Sequence, residues 1–336
     1  MKARFIPWPI AGGLLVLAGC GGGGGGSTVG GPSPPPDELV EISAANAKTV
    51  TADVMQSALE GGNFATLADP SSTTIDSLST KTSPLYSKVS ASQVDRDAAL
   101  VKQSAPISSE APIGPATEPC DFGGTITISG DVASQETLTA GDRLSMAFDQ
   151  CDDGTTVVDG TFSMTIQTFS GSLETGAFSL SVTVGLDSLA TDSAAGAVAI
   201  DGDATLTIDT SAPPQLAIRV SSGSLAIDVN GTSHTVSDYL LIQSVDTQNG
   251  DYSMEVSGAV SSSKFEGEAI YETVETFVGL AGAHPYVGEL LISGAGGATI
   301  RAVALDDAFV RLTVDTDGDG AADFTEDVAW EELIAL

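Results

Sequence analysis

The chain is predicted to be mainly β with helices confined to its N-terminal third, an α+β architecture built on one large curved antiparallel sheet, barrel-like or folded as a sandwich. Three observations predict it. From Cys120 onward apolar residues recur at every second position; Asp-Gly and Asn-Gly pairs separate the runs; and ahead of residue 120 the apolar period is close to 3.6. With 336 residues, 17% charged and 42% hydrophobic, the chain can bury one sizeable core or two modest ones.

Residues 1–19 pair a basic start, Lys2 and Arg4, with an apolar run from Ile10 to Ala18 that is too short to span a bilayer as a helix. The run closes on Leu17-Ala18-Gly19-Cys20. This stretch resembles the lipobox of bacterial lipoproteins, which implies cleavage before Cys20, a palmitate-type lipid on its thiol, and a membrane contact made through that lipid. Gly21 after the cysteine is similar to the pattern of outer-membrane lipoproteins. The resemblance implies a lipid-anchored outer-membrane protein of the cell envelope, facing the periplasm or the cell surface.

Loss of the leader removes Lys2 and Arg4 and leaves 10 basic residues against 45 acidic ones, a formal charge of −35. Nucleic acid is excluded as a natural partner, because phosphate contacts need the opposite sign. An anionic membrane surface is disfavoured for the same reason, and cations are the natural small ligands. Self-repulsion that keeps the protein soluble is the simpler role of such acidity.

Residues 20–36 hold the run Gly21 to Gly26 and end in Pro34-Pro35-Pro36, a tether that would span about 20 to 25 Å as a flexible chain. Residues 37–119 are expected to be a loosely packed region of helices and linkers. A helix is predicted over 43–60, where Ala47, Val50, Val54 and Ala58 recur at three- and four-residue steps, Ser43 caps the start, and Gly61 and Gly62 stop the run. A weaker helical stretch follows Pro84, with Leu85, Val89, Val94, Ala98 and Val101 on one stripe. Ser/Thr/Pro-rich linkers are expected at 68–83 and 104–119. Such short amphipathic helices gain stability by docking on the sheet that follows.

The β domain is predicted over 120–336. Ile126 and Ile128 alternate with Thr125 and Thr127, and Phe162, Met164 and Ile166 alternate with serine, threonine and glutamine. Further runs carry Phe178 to Val184, Leu206 and Ile208, Leu225 to Val229, Tyr252 to Val256, and Val310 to Val314. Turn pairs at Asp153-Gly154, Asp159-Gly160, Asp201-Gly202, Asn230-Gly231 and Asn249-Gly250 divide them into roughly 12 strands. A membrane-spanning barrel would need aromatic girdles, and aromatics make up only 5% of the chain.

With Cys20 assigned to a lipid, Cys120 and Cys151 remain, and in an oxidising compartment a disulfide is the default pairing. Closing their loop of about 32 residues stabilises a fold by roughly 3 to 4 kcal/mol in the chain-entropy account. A metal site is the poorer alternative, since neither cysteine has a CxxC partner or a nearby histidine.

The sharpest motif is the Asp-rich loop 315–326, Asp315-Thr316-Asp317-Gly318-Asp319-Gly320-Ala321-Ala322-Asp323-Phe324-Thr325-Glu326. It resembles an EF-hand-type calcium loop at every specified position. The resemblance implies carboxylate ligands from Asp315, Asp317 and Asp319, a backbone carbonyl from Ala321, a direct or water-mediated contact from Asp323 and a bidentate closure by Glu326. Two departures separate it from a paired sensor hand: Phe309 to Val314 reads as a strand, and Ala322 stands where an aliphatic pairing residue is usual. The alternative is an Asp/Gly-rich hairpin turn that holds no metal.

No G-x-S-x-G, H-E-x-x-H, P-loop or C-x-x-C motif occurs, and the histidines are two, His234 and His284. The Cys120 to Cys151 bracket, the Asp317-Gly318-Asp319-Gly320 turn, and Trp330 with Leu333 together resemble β-rich proteobacterial lipoproteins, a likeness that implies no known activity. The sequence therefore points to a non-catalytic envelope lipoprotein, a β module that binds a ligand or a protein partner and holds one weak calcium ion. The alternative is an envelope hydrolase, glycosidase-like, using a carboxylate pair in a cleft.

Overall fold

The computed structural model describes residues 39–67, 111–133, 138–172, 175–194 and 196–334, without the side chains of 59–67 and 111–113. Cys20, the leader, the tether and the helical stretch over 85–101 lie outside the described residues. Among the described residues one helix, α1 (Ala47–Leu67), precedes fourteen strands. They are β1 (Ala111–Pro119), β2 (Gly123–Val132), β3 (Arg143–Asp152), β4 (Thr156–Ser172), β5 (Ala177–Ser193), β6 (Gly196–Asp209) and β7 (Gln215–Val229). There follow β8 (Thr232–Asp246), β9 (Asp251–Ser262), β10 (Glu268–Leu280), β11 (Val287–Ser293), β12 (Thr299–Ala304), β13 (Phe309–Asp315) and β14 (Phe324–Ala329). A short helix, α2 (Trp330–Ile334), follows the last strand.

All fourteen strands form one antiparallel sheet in sequence order, β1 to β14, so each strand pairs with its neighbours in the chain. Among the described residues no pairing joins β14 back to β1, and the sheet is open. This is what the alternation dictates: each run has one apolar side, and short connections, of two residues at β5–β6 and β7–β8, join it to the next.

Bulges bend the sheet. Register shifts interrupt β3 with β4, β4 with β5, β5 with β6 and β6 with β7. In β5 the inward parity changes across the bulge, from Phe178, Leu180, Val182, Val184 and Leu186 to Leu189. At the facing position of β4, Gly160 takes φ +99° and lies so close to β5 that a Cβ would meet the Ser188 carbonyl oxygen. The sequence needs glycine there, and the extra residue increases the local twist.

Helix α1 lies on the apolar face, touching β7 to β10, β12, β13 and α2. Lys48 reaches Glu326 on β14 at 2.8 Å, and five residues later Asp53 meets Ser262 on β9 at 2.5 Å. In a flat sheet those strands would stand about 24 Å apart, whereas five helical residues rise only about 7.5 Å. The sheet therefore curls round the helix. Val50, Val54, Met55 and Ala58 join Val236, Val260, Tyr271, Leu290, Ile300, Leu312 and Trp330 in one apolar core. Residues 39–40 are stitched in ahead of α1: the Val40 amide donates to the Glu268 carbonyl at 2.9 Å, and the Ala295 amide to the Val40 carbonyl at 2.8 Å.

Several boundaries differ from the sequence expectation. The sheet has fourteen strands where about 12 were counted. Its first strand lies in the Pro-rich stretch read as linker, since Pro112, Pro115 and Pro119 hide the alternation and suit an edge strand. Helix α1 continues through Gly61 and Gly62 to Leu67. Its start is organised by Asn46, whose Oδ1 accepts from the Ser43 amide and hydroxyl at 2.8 and 3.0 Å, so the Ser43 side chain donates instead of capping. Cys120 and Cys151 are paired as expected, with Cα atoms 5.4 Å apart, and fasten the β1–β2 turn to β3.

Candidate functional site

Among the described residues, the tip of the β13–β14 hairpin is where three acidic side chains converge closely enough to share an ion. The ladder runs in strict register from Phe309 opposite Ala329 to Val314 opposite Phe324. The connection is therefore shorter than the twelve-residue loop of the sequence motif, and Phe324, Thr325 and Glu326 belong to β14. Gly318 and Gly320 take φ +74° and +85°. A Cβ on Gly318 would sit 2.9 Å from the Gly296 carbonyl oxygen, so the tip packs directly on the turn Ala295–Gly297.

Within this loop the carboxylates of Asp315, Asp317 and Asp323 each offer an oxygen within 4.8 Å of the others. Asp315 is 9% exposed and lies beneath the loop; the other two are exposed. Backbone amides hold the charges in place. Asp315 accepts from the Gly318 amide at 2.7 Å on Oδ1 and from the Gly320 amide at 2.8 Å on Oδ2. Asp317 Oδ1 accepts from the Asp319 amide at 3.2 Å. Asp323 Oδ2 accepts from the Thr316 hydroxyl at 2.5 Å and its amide at 2.8 Å, and these two bonds hold the carboxyl below the usual carboxylate range.

The chemistry of this donor set fits calcium. Oxygens 2.3 to 2.6 Å from a single ion stand at most about 5 Å apart, which matches the span of the three carboxylates, and each carboxylate keeps at least one lone pair beyond those its hydrogen bonds use. The other residues of the motif are placed elsewhere. Asp319, whose Oδ1 accepts from the Ala321 amide at 2.7 Å, is not among the carboxylates that converge, and Ala321 is exposed. Glu326 stands opposite Leu312 in the ladder, on the core-facing side of the pleat, where Lys48 pairs with it at 2.8 Å. Asp315 lies on the other side of the same pleat, three residues beyond Leu312. A strand after the loop thus turns the twelfth residue away from the first.

A second polar group lies under α1, and the sequence reading missed it. Asp53 is fully buried; its Oδ2 accepts from Ser262 Oγ at 2.5 Å and its Oδ1 faces the Lys264 ammonium at 3.1 Å. His234 stands opposite Ser262 in the β8–β9 ladder and is 2% exposed. An aspartate between Val50 and Val54 on the apolar stripe of a predicted helix is the signal that points to it. The second histidine, His284, stacks on Trp330 with ring centroids 5.9 Å apart. Over β2 to β4 a cleft of about 520 Å³ is lined by Asp131, Arg143, Leu144 and Met164 among others. Among the described residues no helix is long and apolar enough to cross a membrane.

Comparison with protein-family models, with curated proteins and with solved structures gives no match.

Proposed function

We propose that the protein is a non-catalytic envelope lipoprotein, anchored through Cys20, whose β body binds a ligand or protein partner and carries one weak calcium ion at the β13–β14 tip. The observation that carries the calcium part is the convergence of Asp315, Asp317 and Asp323 within 4.8 Å on a loop already held by backbone amides. The anchoring part rests on the lipobox resemblance at Leu17-Ala18-Gly19-Cys20.

Asp315, Asp317 and Asp323 would hold the ion, and its role there is charge compensation: it offsets the repulsion of three carboxylates crowded into one turn. Asp319, Ala321 and Glu326 stand outside that set. Affinity is of the extracellular type, on the order of 10⁻⁴ to 10⁻³ M, since the loop lacks a partner hand. At ten times Kd the ion stabilises the fold by about 1.4 kcal/mol. Thermal melts with and without millimolar calcium test this. Wild type gains a few degrees, and Asp317→Asn with Asp323→Asn gains none; equal gains in both would reduce the loop to a turn and the effect to screening of an acidic surface.

A further inference from the structure

The seat of α1 contains an imidazole with nowhere to put a proton. His234 lies on the inward side of β8, beside Ser262 of β9, and neither ring nitrogen has a hydrogen-bond partner among the described residues. Its neighbours are already committed. Ser262 donates its hydroxyl to Asp53 of α1, and Lys264, just after β9, places its ammonium on the other oxygen of the same carboxylate. Asp228, at the end of β7, accepts from the Ser233 hydroxyl at 2.8 Å. The charges facing the ring are therefore Asp53 from α1, Lys264 from the β9 end and Asp228 from β7.

We propose that His234 makes the seating of α1 acid-sensitive: charging the imidazole favours a state in which α1 is lifted from β8 and β9 and the ring is hydrated. An imidazolium held in place would lose its water with no acceptor among the described residues within hydrogen-bond reach of either nitrogen, and Lys264 would repel it. Burial is the largest influence on the ring and keeps it neutral below its ordinary range, with the repulsion of Lys264 in the same direction and Asp53 and Asp228 opposing. The sign follows. The lifted state takes up its proton near the ordinary value of about 6.5, the seated state only at lower pH, so seating weakens as pH falls below about 6.5. Lifting α1 uncovers the apolar face around Val236 and Val260, both fully buried.

The test uses the full chain in a His284→Gln background, which leaves His234 as the single imidazole. Hydrogen exchange of the amides of Val50 to Ala58, corrected for intrinsic rates, is compared at pH 7.5 and 5.0. Protection falls about tenfold or more with His234 present and stays level in His234→Gln. Proton NMR of the His234 ring gives an independent reading in the unsubstituted site, with a titration midpoint below 6.5. A midpoint at or above 6.5, or the same loss of protection in His234→Gln, would overturn the proposal.

Discussion

The hairpin tip and the seat of α1 are both built round aspartates, and they treat them in opposite ways. At the tip, Asp315, Asp317 and Asp323 receive backbone amides that come with the loop itself, and two of the three side chains face solvent. Under α1, Asp53 receives a hydroxyl from one strand and an ammonium from beyond its end, both brought by tertiary folding, and it is fully buried. Local partners leave carboxylates with spare lone pairs and access to ions; distant partners spend the same groups on holding a helix to a sheet. The tip is therefore suited to a ligand and the seat to stability.

That contrast can be broken from the buried side. Asp53→Ala removes the acceptor of Ser262 and the counter-charge of Lys264 in one step. The lysine is 29% exposed in its side chain and can turn partly to water, which places the loss at the lower end for a broken buried pair. The unfolding free energy measured in urea should fall by roughly 3 kcal/mol. A loss below about 1 kcal/mol would mean that apolar packing alone seats α1.

A smaller effect sharpens the comparison at the tip. Glu326→Gln should lower the melting midpoint by at most about 2 °C, because its pair with Lys48 is largely solvated. Its calcium-induced shift should equal that of wild type. If the shift disappears, the twelfth position of the motif does close on the ion, and the facing imposed by the β14 ladder is not what decides the ligand set.

Much of this architecture is legible in the sequence. The alternation of Phe178 to Val184 or Val310 to Val314 fixes strands with one buried side, and every one of those inward residues is core. The disulfide follows from a count of cysteines and the β2–β3 hairpin between them. Two strands, β1 and β14, are hidden for physical reasons, and β8, β10, β11 and β12 are not picked out as runs. Three prolines in β1 remove ladder donors, which only an edge strand tolerates, and β14 begins inside the Asp-rich motif, with Glu326 and Asp327 standing between Phe324 and Val328. Curling is equally hidden, since it depends on bulges such as Gly160 whose effect appears only once β5 lies alongside.

For the site, the spacing of Asp315, Asp317 and Asp323 was readable, because turn geometry is local. The fate of Glu326 was not. A twelve-residue motif specifies distance along the chain, whereas facing is set by whether a helix or a strand follows. Asp53 lies more than 170 residues before both His234 and Ser262, and no local pattern records their meeting.

The central claim is that three of the motif's carboxylates, and not its full ligand list, hold a calcium ion. A titration of calcium into the isotopically labelled full chain, followed by amide NMR, reads it most directly. In wild type the amides of Thr316, Gly318 and Gly320 should shift together and saturate with one midpoint on the order of 10⁻⁴ to 10⁻³ M. Asp319→Asn should keep that saturating response and Asp323→Asn should abolish it. Shifts that persist in Asp323→Asn, or that spread over the acidic surface without saturating, would contradict the account.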